Sequence, residues 1–152
     1  MELFILLLLI LLNGVFAMSE IALVTARKAR LASRAASGDR SAQAAIKLGK
    51  DPTRFLSTVQ IGITSIGLLS GIFGESALAE PLARWLRHNV DLAPSTASAV
   101  AVTVVIALVT YLSIVVGELV PKRLGQINPE GVARLVARPM TLLSVISRPF
   151  VA

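Results

Sequence analysis

Residues 95–117 read STASAVAVTVVIALVTYLSIVVG, with no charged side chain among them. A bilayer core of about 30 Å needs around 20 apolar residues in helical form, so this stretch is long enough to cross. The β-branched run Val100 to Val109 does not argue for a strand, because a lone strand in lipid leaves its backbone unpaired. Two further stretches have the same character. Residues 55–74, FLSTVQIGITSIGLLSGIFG, carry no charge, and residues 3–24 are uncharged from Leu3 through Ser19. Together the spans, at about 3–24, 55–74 and 95–117, predict an all-α integral membrane protein. Juxtamembrane and interfacial helices complete that fold.

Composition agrees. Of 152 residues 55% are hydrophobic and 16% charged, with a mean hydropathy of +0.76. A soluble domain of this size needs more charge to cover its surface. Residues 1–152 read as a single transmembrane domain. The absence of cysteine excludes disulfides and thiolate metal sites.

The first span has a rival reading as a signal peptide, with Val15-Phe16-Ala17 as a small-residue cleavage site. Its n-region, Met1-Glu2, lacks positive charge, and the apolar run continues through Ile21-Ala22-Leu23-Val24. A retained helix is the better reading. Orientation follows from the basic residues. Arg27, Lys28, Arg30, Arg34, Arg40, Lys47, Lys50 and Arg54 lie between spans one and two, and Lys122, Arg123, Arg134, Arg138 and Arg148 follow span three. Only Arg84 and Arg87 lie between spans two and three. The segment 26–54 and the C-terminus are therefore predicted cytoplasmic, with the N-terminus and loop 75–94 outside. The net charge of +6 is accounted for by contact with anionic headgroups. Nucleic-acid binding is not expected, since no aromatic residues interleave the basic ones.

Ala26–Ser37 and Ser41–Leu48 read as helices broken at Gly38-Asp39, with Gly49 closing the second in a left-handed conformation. Asp51 is a predicted N-cap and Pro52 the first residue of the next helix. Ser76–Asn89 places Leu78, Leu82, Trp85 and Leu86 on one helical face, an interfacial helix with Trp85 at headgroup level. His88, at its end, reads as a solvated structural residue. Residues 129–152, interrupted by Pro139 and Pro149, read as a helix at the cytoplasmic interface. The abrupt end after Arg148-Pro149-Phe150 predicts a truncation of a longer protein.

Function must come from polar groups in or beside the spans. Glu20 and Glu118 border the core, where a carboxylate costs up to about 2.5–3.5 kcal/mol at a helix centre and less near the ends. In Gly117-Glu118-Leu119-Val120-Pro121-Lys122, Pro121 has no N–H, so the Gly117 carbonyl loses its helical partner. A carboxylate beside a freed carbonyl is the hard-oxygen environment that Mg²⁺, Ca²⁺ or Na⁺ prefers. The competing reading is a helix end with Lys122 and Arg123 reaching to headgroups. Span two offers Gly62, Thr64, Ser65, Gly67, Ser70, Gly71 and Gly74, whose small-xxx-small pairs serve close packing and also expose oxygens. Asn13 and Ser19 offer the same chemistry from span one. No nucleophile–base pairing or phosphate loop is present, so enzymatic activity is not expected.

Three motifs in order, Asn13-Gly14-Val15-Phe16-Ala17-Met18-Ser19-Glu20-Ile21-Ala22, Thr58-Val59-Gln60-Ile61-Gly62-Ile63-Thr64 and Gly117-Glu118-Leu119-Val120-Pro121-Lys122, resemble the transmembrane domain of the CorC/CNNM (cyclin M) family. The resemblance covers essentially the whole chain. It implies a homodimer in the lipid bilayer, each subunit with three membrane helices and a juxtamembrane helical belt. The implied activity is Mg²⁺ transport, an efflux coupled to Na⁺ entry, through a largely dehydrated site. Carried over by position, its metal ligands are Glu118, then Ser19, then Ser65, Gly67 and Ser70. The family's longer members continue into cytoplasmic CBS and CorC-type domains.

The chain departs from that pattern where many relatives carry asparagine, at Ile63 and Gly67. It looks closer to a bacterial subgroup of the inner (plasma) membrane that includes proposed polyamine exporters. A site with fewer side-chain oxygens keeps an organic-cation exporter open. A reading from another class also stands, a non-transporting membrane anchor or regulatory module. What separates the two classes is whether Glu118 faces the bundle with Ser19 and span two or points to the headgroups.

Overall fold

The computed structural model describes residues 1–151. Among them there is no strand, and three helical segments are long and apolar enough to cross a membrane.

The first, α1 (Glu2–Thr25), is the axis of the bundle. Leu3, Phe4, Leu7, Leu8, Leu11, Leu12 and Val15 recur at helical spacing on one exposed face. In an integral membrane protein that stripe meets lipid. The opposite face buries Leu6, Ile10, Gly14, Ala17 and Ala22. Two short helices follow, α2 (Lys28–Ala36) and α3 (Arg40–Gly49). Gly38, at φ 97°, makes the turn between them, and Asp39 caps α3 by accepting from the N–H groups of Ser41 and Ala42 at 3.0 and 3.1 Å. Gly49 is the last residue of α3 and is not left-handed, contrary to the sequence expectation. Lys50, still right-handed, carries the chain instead into Asp51.

The second crossing begins as predicted. Asp51 accepts from the Arg54 N–H at 3.2 Å, and Pro52 opens α4 (Pro52–Gly74). It does not end at Gly74. A π-turn, Glu75–Ala79, leads straight into α5 (Glu80–Asn89), so the helical segment runs unbroken from Pro52 to Asn89. The wide turn lies just before Pro81, whose ring would clash with a tightly wound carbonyl four residues back. Leu78 and Leu82 pack inward, while Trp85 is exposed.

The third crossing repeats the device. After α6 (Pro94–Ile114) comes a second π-turn, Val115–Leu119, and then α7 (Val120–Ile127). Pro121 was expected to end this helix near Gly117. Instead the extra residue of the π-turn accommodates the ring, and the helix continues to Ile127.

α8 (Pro129–Ile146) is capped by Asn128, which accepts from the Gly131 N–H at 3.1 Å. Pro139 lies inside it without breaking it, and the chain turns at Ser147 into the short α9 (Arg148–Val151). Val136 and Met140 of α8 are buried with Phe16, Phe55, Val59 and Ile66, so α8 is docked on α1 and α4. A second core joins Leu6, Ile10, Ala79, Val105 and Val109 toward the other end of the bundle. A third, of Leu31, Ala42, Ala45, Ala133 and Ala137, holds α2, α3 and α8 in one layer.

That layer is pinned by polar contacts. Asp39 pairs with Arg134, and Glu130, buried in α8, accepts from the backbone N–H of Arg27 at the start of α2 at 3.2 Å. Both carboxyls are held below the ordinary range. For Asp39 the Ala42 N–H is the foremost cause and Arg134 adds to it. For Glu130 its own N–H leads, helped by the Arg27 N–H and the charges of Arg30 and Arg27.

Candidate cation site

The third crossing packs on α1 in parallel, through residues spaced four apart. Gly117 lies against Ile10 and Asn13, Pro121 against Gly14, and Gly125 against Met18 and Ile21. A Cβ added to Gly14 would stand 2.8 Å from the Pro121 ring, and one on Gly125 would stand 2.9 Å from the Met18 carbonyl oxygen. Glycine is required here because the two backbones nearly touch. Four-residue steps drift off the face of a 3.6-residue helix. The π-turn takes up one residue and offsets this drift over the step from 117 to 121.

This seam positions Glu118. The Gly117 carbonyl does not stay free: Asn13 Nδ2 donates to it at 2.9 Å. With its neighbour clamped, Glu118 is presented on the π-turn, its side chain 45% exposed. Lys122 Nζ sits 2.8 Å from Glu118 Oε1 and 3.9 Å from Glu20 Oε2 of α1. Two carboxylates from two crossings thus share one ammonium at the end of the bundle that carries the α2–α3–α8 layer.

The other predicted ligands lie elsewhere. Ser19 is fully buried on α1, and its hydroxyl donates to the Val15 carbonyl at 2.6 Å, within its own helix. Ser70 is buried and Gly67 exposed, and both line a cleft of about 520 Å³ between α4 and α6 that also takes in Thr110, Ser113 and Glu75. Neither Glu118 nor Ser19 lines that cleft. Ser65 is exposed on α4, outside it. The structure therefore separates the five residues into a carboxylate set at the α1–α7 seam, a small-residue set at the α4–α6 cleft, and Ser19 and Ser65 apart from both. Among the described residues, no three His, Cys, Asp or Glu side chains converge as a metal-binding group.

Three contributors were not assigned from sequence. Glu20 was seen only as a border acid, Lys122 only as a headgroup contact, and Asn13 as an oxygen donor, whereas it acts as an N–H donor to Gly117. The signal for the last was in the proline: a residue that strips a buried carbonyl of its partner calls for a side-chain donor from the facing helix.

Comparison with known proteins places this sequence in a family. A profile described as the cyclin M transmembrane N-terminal domain matches residues 4–152. A UPF0053 protein of Synechocystis is 46% identical over 99% of this chain and 34% of its own length. A polyamine export protein of Salmonella typhimurium is 34% identical over 99% of this chain and 33% of its own length. A protein of the same name from Haemophilus influenzae is 36% identical over 94% of this chain and 33% of its own length. The chain thus spans about a third of the length of these relatives. By the extent of the family match, the chain belongs to the cyclin M (CNNM) family, as its transmembrane N-terminal domain.

Proposed function

We propose that the chain is the membrane domain of a cation transporter, with Glu118 as the carboxylate that takes the ion, and not an enzyme. The observation behind this reading is the pairing of Glu118 and Glu20 around one positive charge. Carboxylates bordering a bilayer core are costly unless a cation compensates them. Here they come from two different crossings, so a change in the α1–α7 seam alters how they share a cation. Mg²⁺ is the first substrate of this reading, leaving the cell in exchange for Na⁺, since carboxylate oxygen is the ligand that hard cations prefer. Two carboxylates supply only part of an octahedral shell, so the largely dehydrated site that the resemblance implies needs further oxygens beside this pair.

A second substrate is favoured by a specific observation. The group found between the carboxylates is a primary ammonium on a four-carbon stem, which is the chemistry of an alkyl polyamine, and two of the relatives are named polyamine export proteins.

The reading includes a homodimer in a bacterial inner membrane, with the α2–α3–α8 layer in the cytoplasm. In its support, Gly67 and Gly71 have open space where a Cβ would stand, room for a second subunit against the α4–α6 face.

The test is flux. Proteoliposomes holding the purified chain are loaded with a Mg²⁺-sensitive dye or with radiolabelled putrescine. Saturable movement of either that Glu118→Gln abolishes supports the reading and names the substrate. Movement of neither, in correctly folded protein, overturns it in favour of a membrane anchor.

A further inference from the structure

The proposal concerns Lys122 and rests on the transport reading above. Three charged groups meet at the seam: Glu118, Glu20 and Lys122. Formally they sum to one negative charge. The contacts are unequal. The 2.8 Å contact to Glu118 is a charge-assisted hydrogen bond, whereas 3.9 Å to Glu20 is beyond hydrogen-bond length and purely Coulombic.

Mobility is unequal too. Glu118 follows a carbonyl clamped by Asn13 and sits on a turn packed against α1. Lys122 ends in a flexible four-carbon stem. The backbone under Glu118 is held against α1, while the Lys122 ammonium rides on the longer and more flexible stem.

We infer that Lys122 is a resident counter-ion that occupies the carboxylate pair when no substrate is present and is displaced when a cation arrives. Two neighbouring carboxylates at the edge of a bilayer repel one another and are poorly solvated, so an empty pair is an unfavourable state. An attached ammonium offsets half of that charge without drawing an ion from solution. A substrate must then compete with a group held at high local concentration, which lowers apparent affinity and favours release. Lys122 is in this sense specificity-determining. A substrate has to outbid an ammonium, by divalent charge or by carrying more than one ammonium itself.

The experiment is calorimetric titration of the purified chain with MgCl₂ and, separately, with putrescine. Wild type is compared with Lys122→Met, Lys122→Gln, Lys122→Arg and Lys122→Met/Glu118→Gln. Removing the ammonium is expected to tighten binding of the better probe at least tenfold in both Lys122→Met and Lys122→Gln. Lys122→Arg keeps a competing charge and stays within about threefold of wild type, and the double variant loses the gain. Using both neutral variants guards against one that folds poorly. A second readout needs no substitution. Saturating MgCl₂ should expose Lys122, raising its labelling by an amine-reactive reagent severalfold over the lysines of α2 and α3. If wild type binds in a Glu118-dependent way but the neutral variants bind no tighter, Lys122 is a headgroup contact and the inference fails alone. If neither probe binds wild type or the neutral variants, the cation reading fails and the inference with it.

Discussion

Asn13 Nδ2 of α1 donates to the carbonyl oxygen of Gly117, on the π-turn before α7, at 2.9 Å, closing the backbone gap that Pro121 opens. The donor comes from a different crossing, so this bond fixes the register of two membrane helices as well as satisfying one carbonyl. Asn13→Leu leaves that oxygen without its partner in a partly buried place. A lost partner of this kind costs about 1–3 kcal/mol. Thermal unfolding in detergent should show the loss, while far-ultraviolet circular dichroism keeps its helical shape. An unchanged midpoint would mean that water replaces Asn13 and that the bond does not hold the seam.

The glycines divide into two classes with opposite expectations. At Gly125 an added methyl meets the Met18 carbonyl at 2.9 Å and the Ile21 side chain at 2.6 Å. The first of these is backbone and cannot swing away. Gly125→Ala should therefore destabilise by about 1–3 kcal/mol, as overpacked sites do. Gly67 and Gly71 meet nothing within 4 Å in the chain. Gly67→Ala should leave the isolated subunit unchanged or up to about 1 kcal/mol more stable, through helix propensity. If the α4–α6 face packs against a second copy, the same substitution weakens that association. Analytical ultracentrifugation in detergent separates the two effects.

Much of this was legible in the sequence because lipid makes the signal strong. An uncharged run of sufficient length has few alternatives to a helix, so the three crossings and the Asp51-Pro52 start emerged directly. What did not emerge was how the crossings end. Pro81 and Pro121 are helix breakers by local rule, and the sequence gives no local sign that one extra residue per turn will absorb each ring. Nor could residue type say which oxygens face one another. Ser19 and Ser70 are polar positions in apolar helices, yet Ser19 spends its hydroxyl on its own helix and Ser70 lines a different cleft from the one expected for Glu118. Pairing Glu20 with Lys122 required the parallel register of α1 against α7, a tertiary fact that no single helix encodes.

The α2–α3–α8 layer should be acid-labile. Asp39 is held below its ordinary value by the Ala42 N–H first and by Arg134 as well, and Glu130 likewise by its own N–H and that of Arg27. A carboxyl whose folded pKa is depressed contributes stability that is fully present above its unfolded value, about 4 for either type. That contribution is lost as pH falls through the lower folded value. The thermal midpoint should therefore hold steady near neutrality and fall on acidification below about pH 4. Asp39→Asn should start lower at neutral pH and show a shallower decline. A midpoint with the same acid dependence in both proteins would show that Asp39 does not report on folding.

Pro121 tests whether the π-turn serves the site or merely tolerates a proline. Gly117 and Pro121 align on α1 because the turn takes up one residue of the chain. Pro121→Ala restores the missing N–H and removes the ring that stands over Gly14, so the segment is free to wind as regular α-helix. Dropping the extra residue rotates everything beyond it by about 100° relative to what precedes it. Lys122 keeps its i,i+4 relation to Glu118, but the pair turns away from Glu20, and the seam cannot satisfy Gly117 and Gly125 at once. Cation binding by calorimetry should therefore weaken at least tenfold, while helicity is preserved. Binding equal to wild type would mean that packing on α1 alone imposes the π-turn, and that the proline is a consequence of that geometry and not its cause.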